Sequence, residues 1–167
     1  MAALTRWTVD KMIEETSWTQ RAKLLERIAT RFVEGTLDAL EWSIATDVFR
    51  VALYDGEPLV RRVLAEAVKD AVDLPRDILL GLISDVAEVA IPVLGASPLL
   101  SDDDLLVIAC ASSIQHRLAM ASRASISERV SDALCRCGEP IVVAQLLANE
   151  GAAIGSSTLA HLFEAAV

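Results

Sequence analysis

Along the second half of the chain one arrangement of apolar and polar positions returns four times. An apolar residue stands at Leu74, Leu100, Ile126 and Ile154, 26 to 28 residues apart, and eight residues beyond each stands another, at Leu82, Ile108, Leu134 and Leu162. The position after each first anchor is Pro75, Ser101, Ser127 or Gly155. Proline suits a first helical turn and serine caps the free amides of a helix start, so each copy predicts an amphipathic helix beginning there. Upstream, Ala22, Leu25, Ile28, Ala29 and Phe32 fall at helical spacing and run to Gly35, and Leu37, Leu40, Ile44, Val48, Val51 and Ala52 repeat the pattern as far as Gly56. After Pro58, the residues Val60, Val63, Leu64 and Ala67 predict an inward stripe.

Read this way the chain is all-α, with about ten short helices arranged as antiparallel pairs joined by short turns. A pair of this length leaves an apolar face that only a neighbouring pair can cover, which predicts a solenoid, an α-α superhelix of stacked pairs. Residues 1–16, with Leu4, Trp7, Val9, Met12 and Ile13, form a separate N-terminal amphipathic segment, a surface for self-association or for a partner; residues 17–167 form the repeat domain.

Composition sharpens this picture. The chain is 53% apolar and 4% aromatic, so its core is built from small and medium aliphatic side chains that let helices approach closely. Three cysteines without a framework spacing fit a reducing compartment, and the start shows no secretory signal, so the expected location is cytoplasmic. The net charge of −9 is uneven: no Lys or Arg occurs from Asp77 to His116, while that stretch carries Asp77, Asp85, Glu88 and Asp102 to Asp104. A surface that tracks phosphates needs the opposite sign, which argues against nucleic acid and against an anionic membrane. The apolar run from Val89 to Ser101 is too short to span a bilayer and is broken by Pro92, Gly95 and Pro98.

The string Asp55-Gly-Glu-Pro58-Leu-Val60-Arg61 resembles the turn inside a HEAT repeat. Later copies loosen it: Asp85 and Val89 remain but Ala90 stands where the arginine would fall, and Pro140 and Val143 remain without an arginine. From about Ser17 onward the chain resembles an uncharacterised alphaproteobacterial family of HEAT-like proteins, a domain of unknown function. The string from Arg123 to Leu134 and the Leu146-Leu147-Ala148-Asn149 string carry most of that resemblance. It implies a HEAT-like fold and no catalytic motif.

Candidate chemistry is sparse. Cys135 occupies a core position of the register, while Cys110 and Cys137 face elsewhere; a single Cys-x-Cys pair makes a poor zinc site. His116 and His161 lack the spacing of a metal or acid–base pair. Asp102, Asp103 and Asp104 follow Ser101 at a helix start, where negative charge offsets the helix dipole, or form an acidic rim that docks Lys or Arg of a partner. Arg123 and Asn149 stand before turns and can satisfy helix-end carbonyls, or Arg123 can recognise a carboxylate or phosphate. Trp7, Trp18 and Trp42 are large fillers, Trp18 placed to staple its helix.

The expectation is therefore a non-enzymatic scaffold or adaptor in a bacterial cytoplasm, in signalling, with no catalytic, cofactor or metal residue. Its partner is a protein with a basic or apolar docking surface, met by Asp85, Glu88, Asp102, Asp103, Asp104 and Arg123. The alternatives are a nucleic-acid enzyme like the HEAT-like DNA glycosylases, and a self-assembling module that forms a homo-oligomer.

Overall fold

The structure is a computed structural model and describes residues 4–165. Among those residues it holds eleven helices: α1 (Arg6–Glu14), α2 (Trp18–Val33), α3 (Ala39–Ala52), α4 (Pro58–Val68), α5 (Arg76–Ile83), α6 (Ala87–Ala96), α7 (Asp102–Ala111), α8 (Ile114–Ala121), α9 (Glu128–Arg136), α10 (Pro140–Leu147) and α11 (Ser156–Ala165). They fall into two compact units, one of residues up to Val93 with Ser97–Leu99, the other of Leu94–Ala96 and the residues from Leu100 on.

The helices start where the register places them. Pro75, Ser101 and Ser127 are the N-cap residues of α5, α7 and α9, and the anchors before them, Leu74, Leu100 and Ile126, are buried. Ser101 and Asp104 form a capping box, each side chain serving the other's backbone amide, and the Ser127 hydroxyl accepts from the Val130 amide at 3.3 Å. Leu82, Ile108 and Leu134, the second anchors, are buried as well. Ile154 and Leu162, the fourth copy, are half-buried. At the end of α2, Gly35 takes a left-handed conformation (φ +66°) that lets the Thr36 amide reach back to the Arg31 carbonyl at 3.1 Å.

In the first unit α2 lies against α4, α1 against α3, and α3 against α5. Its core joins Leu25, Ile28 and Ala29 of α2 to Val48 and Phe49 of α3, Val60 and Leu64 of α4, and Ile78 and Leu82 of α5. Phe32 stacks on Trp42, with centroids 5.9 Å apart, and meets Phe49 edge-on at 5.3 Å. α1 docks by burying Met12, and the Leu4 amide donates to Glu41 Oε1 at 3.0 Å. Glu41 is itself buried, caps α3 with Asp38 and takes the Arg31 guanidinium at 2.8 Å. Six expectations shift here. Leu37 is half-buried in the turn before α3; Leu40, read as an inward position, is 70% exposed, and Ala22, Val51, Val63 and Ala67 are half-buried. The apolar arc of each helix is wider than the neighbours available to cover it, and those on helices sit on its uncovered edge.

Arginine at the fourth position of a helix makes the same joint three times. Arg21 of α2 gives Nε and Nη2 to Asp55 at 2.5 and 2.8 Å, and its Nη1 donates to the carbonyls of Glu15 and Thr16. Arg61 of α4 grips Asp85 at 2.6 and 2.8 Å and donates Nη1 to the Asp55 carbonyl at 2.6 Å. In the second unit Arg117 of α8 holds Glu139 with Nε at 2.6 Å and through Nη2, and bonds the Ser112 and Ala109 carbonyls. Each acid stands one to three residues before the next even-numbered helix, so one guanidinium ties two turns together. α6 carries Ala90 at the equivalent position, and α10 carries Val143.

The second unit adds a joint of its own. Arg123 Nη1 donates to the Leu94 carbonyl at 2.6 Å, and Asn149 donates through Nδ2 to the Ala121 and Arg123 carbonyls at 2.9 and 2.8 Å while accepting from the Gly151 amide. Beside it, the Ile126 amide donates to Gly151 and the Ala153 amide to Ile126, a single parallel bridge. The fit is tight: a Cβ on Gly151 would stand 2.0 Å from the Ala124 carbonyl oxygen.

Among the described residues one buried side-chain oxygen has no partner. Ser131 is fully buried on α9 and its hydroxyl finds no hydrogen bond among the described residues, at a register position held by Leu79 and Leu105 in earlier copies. Replacing it should therefore cost nothing: Ser131→Ala is expected to leave stability unchanged or raise it by about 1 kcal/mol, read as the urea midpoint. Asn149→Ala strands two carbonyls and an amide, and the same measurement should show a loss of about 1–3 kcal/mol.

Candidate functional site

The acidic positions singled out in the sequence are largely engaged within their own units. In the second unit, Asp104 closes the capping box with Ser101, Asp102 Oδ2 accepts from the Ser127 hydroxyl at 2.6 Å, and Asp103 pairs with Arg129 at 2.8 Å on the surface. Asp102 also lies close enough to Arg123 to stabilise its charge, against a burial that lowers the pKa of that guanidinium. In the first unit both oxygens of Asp85 are taken by Arg61, while Glu88 is exposed in the first turn of α6. The cysteines separate as the register implies: Cys135 is buried and its thiol pushed up by that burial, and Cys110 and Cys137 are exposed, Cys137 Sγ lying 3.3 Å from the Ala133 carbonyl. His116 Nδ1 lies 2.8 Å from the Ser113 hydroxyl, at the start of α8; the side chain of His161 falls outside the described residues. Among the described residues no group of three or more His, Cys, Asp or Glu is placed to hold a metal ion.

The surface feature that remains lies in the first unit, between α2 and α4. The Arg21–Asp55 joint brings the N-terminal ends of the two helices together, so they run side by side in the same direction. Between them is an open groove of about 630 Å³ lined by Trp18, Ala22, Lys23, Glu26 and Thr30 of α2 and by Leu59, Arg62, Val63, Glu66 and Ala67 of α4. Its floor is Ala22, Val63 and Ala67, small residues on the uncovered edges of the two apolar arcs. Trp18 and Leu59 stand at its head, 44% and 45% exposed.

Charge on the rim is sorted along the groove. Lys23 and Arg62 each lie about one turn nearer the N-terminal end than Glu26 and Glu66. Glu66 meets Lys69 at 3.1 Å; Lys23, Glu26 and Arg62 have no side-chain hydrogen bond or ion pair among the described residues. Trp18, expected as a large filler that staples its helix, is instead 44% exposed at the groove head. Leu59, Lys23 and Arg62 were not singled out, although an apolar pair at i, i+4 just outside each core stripe, Trp18 with Ala22 and Leu59 with Val63, is the signal that points to them. A second groove of about 890 Å³ runs between α1 and α3, past Val9, Ile13, Leu40 and Val51, with Arg6, Asp10 and Asp47 mixed along it.

The groove's geometry rests on carboxylates held ionised. Burial pushes Asp55 and Asp85 up, but the arginine fork on each, with the Glu57 and Val86 amides, more than offsets it and leaves both below the usual aspartate value. The Leu4 amide and then Arg31 hold Glu41 low as well.

Residues 89–167 match the model of a family described as an uncharacterised protein conserved in bacteria (DUF2336). The match contains Asp102–Asp104, Arg123, Ser131 and Asn149, begins well after the point near Ser17 from which the sequence resemblance runs, and includes none of the α2–α4 groove. No curated protein and no solved structure matches the chain.

A carboxyl whose pKa is depressed by folding contributes stability that is present above its unfolded value and is lost as pH falls through its folded value. Thermal unfolding of the full chain should therefore be flat from about pH 7 to about pH 5 and fall below about pH 4. The double variant Asp55→Asn, Asp85→Asn should start lower at neutral pH and show a shallower acid fall.

Proposed function

We propose that this chain is a non-enzymatic, HEAT-like helical-repeat scaffold or adaptor of a bacterial cytoplasm, with its helix pairs stacked as an α-α superhelix, and that it binds a protein partner in the α2–α4 groove. The observation that carries this is a contrast. Most of the half-buried charged side chains close joints between turns or helices, whereas the groove combines a half-buried apolar floor with Lys23, Glu26 and Arg62, which have no ion pair among the described residues.

Three features support a binding role over chemistry. The groove offers no nucleophile with a base beside it and no clustered metal ligands. Its rim mixes both signs, unlike the basic channel that an enzyme acting on nucleic acid needs. Trp at the head of an apolar strip, with Arg alongside, supplies two of the residue types in which binding energy concentrates at protein interfaces. An acidic docking turn at Asp102–Asp104 is the second surface this reading allows, with Asp103 the member that stays most exposed.

Leu59→Asp tests the reading. Aspartate in the first turn of α4 suits the helix dipole, so the fold should persist while the groove head becomes charged. Tagged wild-type chain is expected to retain from bacterial lysate one or more proteins that Leu59→Asp retains at least about tenfold less, a loss of about 1.4 kcal/mol. A control charge at the exposed Val107 of α7, Val107→Asp, should leave capture intact. Equal capture by wild type and Leu59→Asp would assign binding to another surface.

A further inference from the structure

Granting that the α2–α4 groove is a docking surface, its shape and the order of its charges restrict what can lie in it. We propose that the groove takes one amphipathic helix of a partner protein, with a carboxylate against Lys23 and Arg62 and, about one turn along, a basic residue against Glu26.

The backbone chemistry selects a helix. Every wall of the groove is helical, so its amides and carbonyls are already bonded within α2 and α4. An extended peptide brings a row of unpaired backbone groups and needs a sheet edge or a line of amide side chains to receive them. The lining offers Thr30 and the four charged residues at its rim and nothing of that kind. A helix brings no such demand, and the small side chains of Ala22, Val63 and Ala67 let one approach to the usual interaxial distance of about 8–10 Å. From Trp18 to Thr30 the groove runs about 18 Å at a helical rise of 1.5 Å per residue, which seats an incoming helix of about three turns. Its apolar stripe at i, i+3, i+4 and i+7 would cover the floor, with its bulkiest residue between Trp18 and Leu59.

Charge sets the facing residues. Lys23 is the sixth residue of α2 and Arg62 the fifth of α4, and Glu26 and Glu66 follow them by three and four residues, about one turn. The groove therefore presents two cations and, one turn along, two carboxylates, of which Glu66 already meets Lys69. An incoming helix answers them with a carboxylate and a cation three or four residues apart. Exposed pairs of this kind contribute little each, so their effect is on register and choice of partner more than on total affinity.

The test uses a phage-displayed library of 16-residue peptides with a fixed helical apolar stripe and all other positions random. It is selected on the full chain and counter-selected on Leu59→Asp. Enriched peptides are expected to carry Asp or Glu and Lys or Arg three or four residues apart beside the apolar stripe. Lys23→Glu with Arg62→Glu, both exposed and outside the core, should weaken a selected peptide by about tenfold, and replacing the peptide's carboxylate by lysine should recover it. Enriched helices without such a pair would overturn the proposed charge match while leaving the adaptor reading in place. No enrichment, with lysate capture still lost in Leu59→Asp, would show that the groove's occupant is not such a helix. A concentration-dependent dimer abolished by Leu59→Asp would name a second copy of this chain instead.

Discussion

A guanidinium wedged between two turns is the interaction on which the rest of this architecture depends. The helices are short, eight to sixteen residues, and helices of that length do not persist alone in water. Apolar burial holds them together but is indifferent to sliding and rotation. Arg21, Arg61 and Arg117 remove that freedom because a planar fork reaches a carboxylate with two parallel bonds and still has donors for carbonyls of the preceding turn. Lysine, a single point charge, could not hold both. The energetic gain of such a half-buried pair is modest, since both charges lose water; its effect is to make every other register costly. The groove exists in its observed form because Arg21 and Arg61 both converge on Asp55, one through its carboxylate and one through its backbone, so the heads of α2 and α4 are fixed at a set spacing.

The second unit, besides its Arg117 joint, has another means to the same end. Arg123 and Asn149 stand two residues beyond the ends of α8 and α10 and satisfy carbonyls that a helix terminus leaves open. Asn149 uses both donors and its acceptor, and the close passage of Gly151 past Ala124 leaves no room for a looser arrangement. These are the residues inside the stretch that matches the bacterial family, and their bonds are structural ones.

Much of the fold was legible because caps are local. Pro75, Ser101 and Ser127 announce helix starts within three residues, and the aliphatic anchors around them have one way to face. What periodicity cannot tell is which edge of an apolar arc acquires a neighbour, so Val63 and Ala67 read as core and lie in the groove, and Leu40 read as inward and faces out. The arginine joints were half-legible: the string around Arg61 stood out and its loss at Ala90 was noticed, but the acids that Arg21 and Arg117 hold lie 34 and 22 residues away, beyond any local signal. The acidic cluster shows the converse. Its capping role could be read from Ser101 alone, but the involvement of Ser127 and Arg129 follows from packing. The sorted charge of the groove is also a property of packing, because it appears only when two helices are set side by side in the same direction.

The direction of the joints bears on how the chain is made. Each arginine waits for an acid that follows it by 22 to 34 residues, and Asn149 closes on carbonyls 26 to 28 residues behind it. Synthesis runs from the N-terminus at about 5–20 residues per second, so each turn is left open for a few seconds until the next helix emerges, and is then locked from ahead. A nascent chain of this kind never has to search for distant partners; it exposes one unfinished edge at a time at the mouth of the ribosome.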